Sequence, residues 1–294
     1  MTACDRWLDA AGSLAAGIEI GTPVTLSQRV RRLTAPNASY MTGPGTNTYL
    51  IGHERVAVLD PGTADSRHLE TILAVTGGRI GWIIVTHTHP DHSPGAAELA
   101  QATGAPVLGN RSLRGVHQDP TFAPAGGFSH GQKLATEEFT LQALLTPGHA
   151  DNHVCFLLEE EGMLFSGDHI MQGSSVVIFP PSGDMRAYLA SLQMLKDYPL
   201  QSIAPGHGTV IREPFAEIDK LVKHRLQRER RLLEQLARRQ PASVQTLARK
   251  VYTQLDPRLT RMAEATLLAH LLKLQEEGVA VESDGEWSLA AGDD

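Results

Sequence analysis

Cysteine is almost missing from this chain. Cys4 and Cys155 are the only two in 294 residues, too few and too far apart for a disulfide framework or a thiolate zinc site. Any metal bound here must therefore be held by nitrogen and oxygen. Long hydrophobic runs are also absent: none approaches the roughly 18 residues of a membrane span. The N-terminus carries Asp5, Arg6 and Asp9 where a secretory leader would place a basic start and an apolar core. A cytoplasmic protein without a membrane partner is expected. Positive charge is in deficit as well, with 26 Lys and Arg against 33 Asp and Glu and a formal charge of −7. That excludes a generally basic nucleic-acid coat and leaves room only for a local basic patch.

What is present is an ordinary globular composition, 41% hydrophobic and 20% charged, without the polar bias of a disordered chain. The length is roughly twice the usual single-domain prior. It suggests one large domain or a domain with an appendage. Histidine is in surplus at 13 residues, so the placement of the histidines is the first question to ask.

Short β-rich runs alternate with turns from about residue 46. Strands are predicted at Thr48 to Ile51, Arg55 to Leu59, Ile80 to Thr86 and Ala105 to Leu108 from their apolar and β-branched content. Helices are predicted from Asp65 to Val75 and, with Ser93 as N-cap and Pro94 in the first turn, through Ala102. A second β block covers Phe139 to Leu145, His153 to Leu158 and Met163 to Ser166, the last two joined as a hairpin. Asp184 caps a further helix through Tyr198, and a short strand at Ser202 to Ala204 precedes Pro205-Gly206-His207-Gly208. This organisation places one domain over residues 1–212. Residues 213–294 then form an appendage that begins helically at Glu213-Pro214. Three helices followed by a hairpin, Val279 to Glu282 and Trp287 to Ala290, give the order of a winged-helix module.

The decisive stretch is Thr86-His87-Thr88-His89-Pro90-Asp91-His92-Ser93, which leaves a buried strand and enters a helix. The strand period of two puts His87 and His89 on one side, and the following loop can turn Asp91 and His92 toward a neighbouring point. His149, Asp168 and His207 each follow a predicted strand. Alone, each would be a turn or surface residue. Together the set allows three histidines on one metal and Asp, His and His on a second, with Asp168 reaching both.

The pattern His87-x-His89-x-Asp91-His92 followed by His149, Asp168 and His207 resembles the metallo-β-lactamase superfamily over about residues 46 to 212. The resemblance implies an αββα sandwich in an α/β chain with the site at one edge of its sheets. It implies His87, His89 and His149 around metal 1, Asp91, His92 and His207 around metal 2, and Asp168 bridging. Gly45 to Leu50, Thr146 to His153 and Ala263 to Leu271 further resemble the β-lactamase-like protein 2 family, which joins this domain to a C-terminal winged helix. That family includes a mitochondrial single-stranded-RNA endonuclease. The chain departs from it at Asp168-His169-Ile170 and in the segment Phe179 to Asp184.

The implied chemistry is metal-dependent hydrolysis by a metal-bridging hydroxide, with two divalent ions, zinc first and iron or manganese as options. The catalytic candidates are Asp91, Asp168 and His169, the last either a proton donor beside the metals or a strand residue facing away. His153 either supports a ligand by hydrogen bonds or is a solvated strand-end residue, and Asp60 either orients a ligand or loop or forms its own turn. Ser174 and Ser175 are candidate substrate contacts. The Lys220 to Arg239 stretch holds Lys220, Lys223, Arg225, Arg228, Arg230, Arg231, Arg238 and Arg239 against Glu229 and Glu234. It is either a solvated helix face or a phosphate-tracking surface. The helix from Leu259 to Glu277 reads as a packing or homodimer element. The leading expectation is a phosphodiesterase acting on single-stranded RNA. The alternatives are a glyoxalase II-like thioester hydrolase acting on a small molecule and, disfavoured by the complete ligand set, a non-catalytic binder.

Overall fold

The strands read as continuous apolar runs because both of their faces are covered. The computed structural model describes residues 18–114, 117–173, 175–239 and 241–291. Strands β1 (Val24–Thr25), β2 (Val30–Thr34), β3 (Asn47–Ile51), β4 (Val56–Leu59), β5 (Ile80–Ile84) and β6 (Val107–Leu108) form one sheet in that order. Strands β7 (Lys133–Ala135), β8 (Thr140–Leu145), β9 (Val154–Leu158), β10 (Met163–Gly167) and β11 (Ser202–Pro205) form a second sheet, in reverse order. Pairing is parallel at β4–β5, β5–β6 and β10–β11, and antiparallel elsewhere in the two sheets. Every residue of β3, β4, β9, β10 and β11 is buried, as expected for strands inside a layered sandwich.

Three apolar layers hold the sandwich. Ile51, Leu59, Phe139, Phe156 and Phe165 fill the space between the sheets. Leu33, Ile83, Leu69, Ile72 and Leu99 join the first sheet to helices α1 (Ser66–Thr76) and α2 (Gly95–Thr103). Leu164, Ile203, Tyr188 and Leu192 join the second sheet to α3 (Met185–Met194). Helix α4 (Pro214–Arg238) is shared. Its Ile218 and Leu221 enter the layer under the second sheet, while Leu232 and Leu236 belong to a separate core with Leu247, Leu267, Leu271 and Trp287. That core unites α4 with α5 (Val244–Val251), α6 (Thr260–Glu276) and a small sheet of β12 (Ala242–Ser243), β13 (Ala280–Ser283) and β14 (Glu286–Leu289), ordered β12-β14-β13. The helical segment and wing thus follow the predicted order.

The Asp184 cap follows the sequence reading, its side chain accepting from the Ala187 amide, and Asp65, expected inside its helix, also caps one by accepting from the His68 amide. Ser93 does not. The backbone enters α2 through Pro94, with no side-chain cap, and the Ser93 hydroxyl donates to Asp119 instead (2.7 Å). No helix among the described residues is long and apolar enough to cross a membrane.

Candidate metal centre

The site is assembled at strand ends. The loop after β5 carries His87 to His92, the loop after β8 carries His149, the end of β10 carries Asp168 and the end of β11 carries His207. One potential ligand atom from each of His87, His89 and His149 lies within 4.8 Å of the others, and the same holds for Asp91, His92, Asp168 and His207. The two groups expected from the sequence therefore meet in space. Asp168 faces both: one carboxylate oxygen is 3.3 Å from His92 Nε2 and 3.2 Å from His207 Nε2, and the other is 3.7 Å from His149 Nε2.

Four of the five imidazoles are oriented by a bond at the outer nitrogen, which turns the other nitrogen inward. His149 Nδ1 donates to the Val177 carbonyl (2.8 Å) and His207 Nδ1 to the Gly45 carbonyl (3.1 Å). His92 Nδ1 donates to Asp60 (2.9 Å). The Thr86 hydroxyl donates to Asp60 (2.7 Å) and so accepts from His87 Nδ1 (3.1 Å). Asp60 also accepts from the Thr86 amide (2.7 Å), so this buried carboxylate fixes two histidines and the strand end between them. Orientation is its role, one of the two expected of it. His92 Nε2, His207 Nε2 and one Asp168 oxygen are buried without a hydrogen-bond partner, and such convergent orphans fit a bound cation. In the other group His89 Nδ1 faces His87 Nε2 at 2.9 Å and His149 Nε2 at 3.0 Å. Three neutral imidazoles cannot all donate there, and a divalent ion satisfies all three.

Electrostatics divide the site. Burial lowers the pKa of His87 and His149 and pushes that of His89 down to about 3, so these three stand neutral. Burial also opposes charge on His207, but Asp168 and Asp91 outweigh it and push its pKa up to about 10. His92 is raised in the same way by Asp91, Asp168 and Asp60. Asp91 and Asp168 fall well below the carboxylate range, because the neighbouring histidines overcome the cost of burial.

His153 is a support and not a solvated residue. It is buried, its Nδ1 donates to Thr146 (2.9 Å) and its Nε2 accepts from the Asp168 amide (3.2 Å). Gly167 turns there with φ 45°, and a Cβ would lie 2.6 Å from Thr86 Oγ1, so only glycine suits the turn. Of the two readings of His169, a proton donor beside the metals or a residue facing away, its burial supports the second. Its ring is fully buried behind Asp168 between His153 and Tyr188, and burial pushes its pKa down to about 3. Ser174 lies outside the described residues, and Ser175 is half-buried. The basic stretch is divided: Arg225 and Arg228 are buried, Lys220 pairs with Glu217, and Lys223, Arg230, Arg231, Arg238 and Arg239 are exposed.

Sequence reasoning missed the supports that carry no chemistry of their own. Asn47 amide hydrogens bond the Pro205 and Gly208 carbonyls (3.0 and 2.8 Å) on either side of His207. Asn152 donates to Thr88 (2.8 Å) between the two loop histidines. Asn47 lies in Gly45 to Leu50 and Asn152 in Thr146 to His153, so the signal was in motifs already noticed.

Residues 41–207 match the metallo-β-lactamase superfamily. The chain belongs to that superfamily. Residues 243–287 match the β-lactamase-associated winged helix domain. A Drosophila melanogaster β-lactamase-like protein 2 homolog is 33% identical over 267 residues, 86% of this chain and 90% of its own length. A β-lactamase domain protein from Burkholderia ambifaria superposes with TM-score 0.79 at 20% identity, over 94% of this chain and 96% of that one. Another solved chain, crystallised in a di-iron-bound form, is 26% identical with TM-score 0.50, over 66% of this chain and 96% of its own. This metallo-β-lactamase superfamily member thus carries a metal-dependent hydrolase fold with the αββα architecture, and its His and Asp groups could hold divalent metal.

Proposed function

We propose that this chain is a dinuclear-metal phosphodiesterase acting on single-stranded RNA. The observation that carries the dinuclear reading is the split of Asp168, one oxygen toward each group of ligands. His87, His89 and His149 would hold one ion, and Asp91, His92 and His207 the other. Zinc suits the nitrogen and oxygen ligands, with iron, the metal of one solved relative, and manganese as alternatives. Such ions supply a hydroxide nucleophile near neutral pH and polarise a phosphoryl oxygen. The protein's own part is to present lone pairs from fixed tautomers and to keep Asp91 and Asp168 ionised. His169 takes no part.

The segments that clamp the ligands also carry exposed rings. Tyr40, 48% exposed with Arg258 over its face at 4.0 Å, lies five residues before Gly45. Phe179, 43% exposed and edge-on to His117 at 5.3 Å, lies two residues after Val177. Exposed rings are platforms on which unpaired bases stack, each worth about 1–3 kcal/mol. The test is turnover by metal-loaded protein of single-stranded RNA, bis-p-nitrophenyl phosphate and S-lactoylglutathione. RNA cleavage that is lost in His207→Ala and shows a KM raised about tenfold in Tyr40→Ala and Phe179→Ala is expected. Faster thioester than phosphodiester turnover would overturn the substrate class.

A further inference from the structure

The residue that orients His149 sits in a segment with no secondary structure to hold it. Residues 175–179 form neither helix nor strand, yet the Val177 carbonyl takes the Nδ1 proton of His149 at 2.8 Å. The segment is held from outside the sandwich. From α4, the Arg225 guanidinium donates to the Val176 carbonyl. From α6, the Thr266 hydroxyl accepts from the Ile178 amide at 3.3 Å. The Val176 and Ile178 side chains are buried in the layer that contains Ile218, Leu221 and Ala269 of the same two helices. Val177, between them, is bracketed by two bonds to the C-terminal helices.

Arg225 is an expensive residue to place there. It is 3% exposed, its Nε has no hydrogen-bond partner, and no carboxylate forms an ion pair with it among the described residues. A buried guanidinium without a counter-ion destabilises a fold unless its donors are used. Here one donor is spent on the Val176 carbonyl, and the cation lies 5.2 Å from the ring of Tyr188. Tyr188 in turn packs under Gly148, where a Cβ would come within 2.3 Å of the Tyr188 Cα, and its hydroxyl donates to the His169 carbonyl at 3.1 Å. One buried cation thus holds the segment that orients His149 and packs on the ring beneath the turn that carries it.

We propose that Arg225 and Thr266 are positioning residues of the metal centre, through which the C-terminal helices set the His149 imidazole for the ion bound by His87, His89 and His149. This rests on the dinuclear reading above. Partners that orient a metal-binding histidine typically change metal affinity or activity 10–100-fold when removed, and the effect falls on the ion that histidine holds.

The test titrates the metal-free full-length protein with Co2+ and with Zn2+. Two reference variants, His149→Ala and His207→Ala, assign the Co2+ absorption bands to the two ions. Thr266→Val, nearly isosteric, and Arg225→Lys, which keeps the charge, carry the test even where Arg225→Met does not fold. Leu236→Ala, in the C-terminal core away from the segment, controls for general destabilisation. Expected is an affinity loss of about tenfold or more and a shifted band for the ion lost in His149→Ala. The ion lost in His207→Ala should be unchanged, and Leu236→Ala should leave both bands in place. Equal weakening of both ions, no weakening, or the same change in Leu236→Ala overturns the proposal. Failure of His149→Ala to remove any ion overturns the dinuclear reading itself, and this inference with it.

Discussion

At the scale of single residues, the metal centre is a set of buried imidazoles whose environments differ sharply over a few ångströms. His92 and His207 gain protons from the carboxylates around them, the latter with its pKa raised to about 10. In the metal-free protein both are therefore charged at pH 7, and a cation entering among Asp91, His92, Asp168 and His207 must displace those protons. Zinc binding is expected to release up to about two protons and to tighten as pH rises from 6 to 8. Calorimetric titration in two buffers of different ionisation enthalpy measures the release, and a buffer-independent heat would refute the assignment. His169 makes the opposite case. Both of its ring nitrogens are buried and unpartnered, a cost without a visible return. His169→Met should fold, keep its metal content and turnover, and be as stable as the parent or more so by about 1 kcal/mol. A drop in urea midpoint would show that the imidazole is bonded after all.

At the scale of elements, legibility followed burial. The strand ending at His87 and the loop through His92 were plain, because an apolar run that delivers four potential ligands within six residues points to a metal site and to little else. Strand β2 was invisible: Val30-Arg31-Arg32-Leu33-Thr34 carries two arginines that read as solvent-facing. Arg32 is buried, and the Arg31 guanidinium is spent on the Val75 and Gly52 carbonyls (3.2 and 2.8 Å). Ser93 was misjudged as a cap because the cap position falls one residue later, at Pro94, and the Ser93 hydroxyl is turned to Asp119, a partner no local pattern reveals. The bonds from α4 and α6 to residues 176 and 178 were equally out of reach, since they join positions 49 and 88 residues apart. Helix α1 carries a testable load of its own. His68 is buried against Thr48 (2.9 Å), whose hydroxyl donates to the Asp60 carbonyl (2.7 Å), and burial pushes its pKa down to about 4. The unfolded chain protonates this histidine near pH 6.5 while the folded chain does not. Stability is therefore complete above that pH and declines as pH falls from about 6.5 to about 4, by at most about 3 kcal/mol. In His68→Gln, urea midpoints of the metal-free protein should fall less steeply over that window; an unchanged slope would count against it.

At the scale of the whole molecule, the two cores are joined by one continuous helix. Ile218 and Leu221 of α4 lie under the second sheet, and Leu232 and Leu236, a few turns on, lie in the winged-helix core. Between them Arg225 bonds the Val176 carbonyl, and Glu229 is bonded by His270 (3.0 Å) and Lys273 (2.8 Å) of α6. The helix that starts at Pro214 both packs on the sandwich and leads into the appendage, so a cut at residues 212 and 213 would take part of the sandwich's own apolar layer with it. Unfolding either core should expose surface that the other needs covered, so we expect the two to unfold together. Leu236→Ala opens a cavity in the winged-helix core alone and should cost about 2–5 kcal/mol. Trp82 packs edge-on to Phe139 in the sandwich, and Trp287 is buried in the winged-helix core, so each can report separately. In a Trp7→Phe, Trp287→Phe background, Leu236→Ala should lower the urea midpoint seen by Trp82 fluorescence as much as it lowers the far-ultraviolet circular dichroism midpoint. If the Trp82 midpoint stays put while the helical signal moves, the cores unfold independently, and α4 is a tether instead of a shared wall.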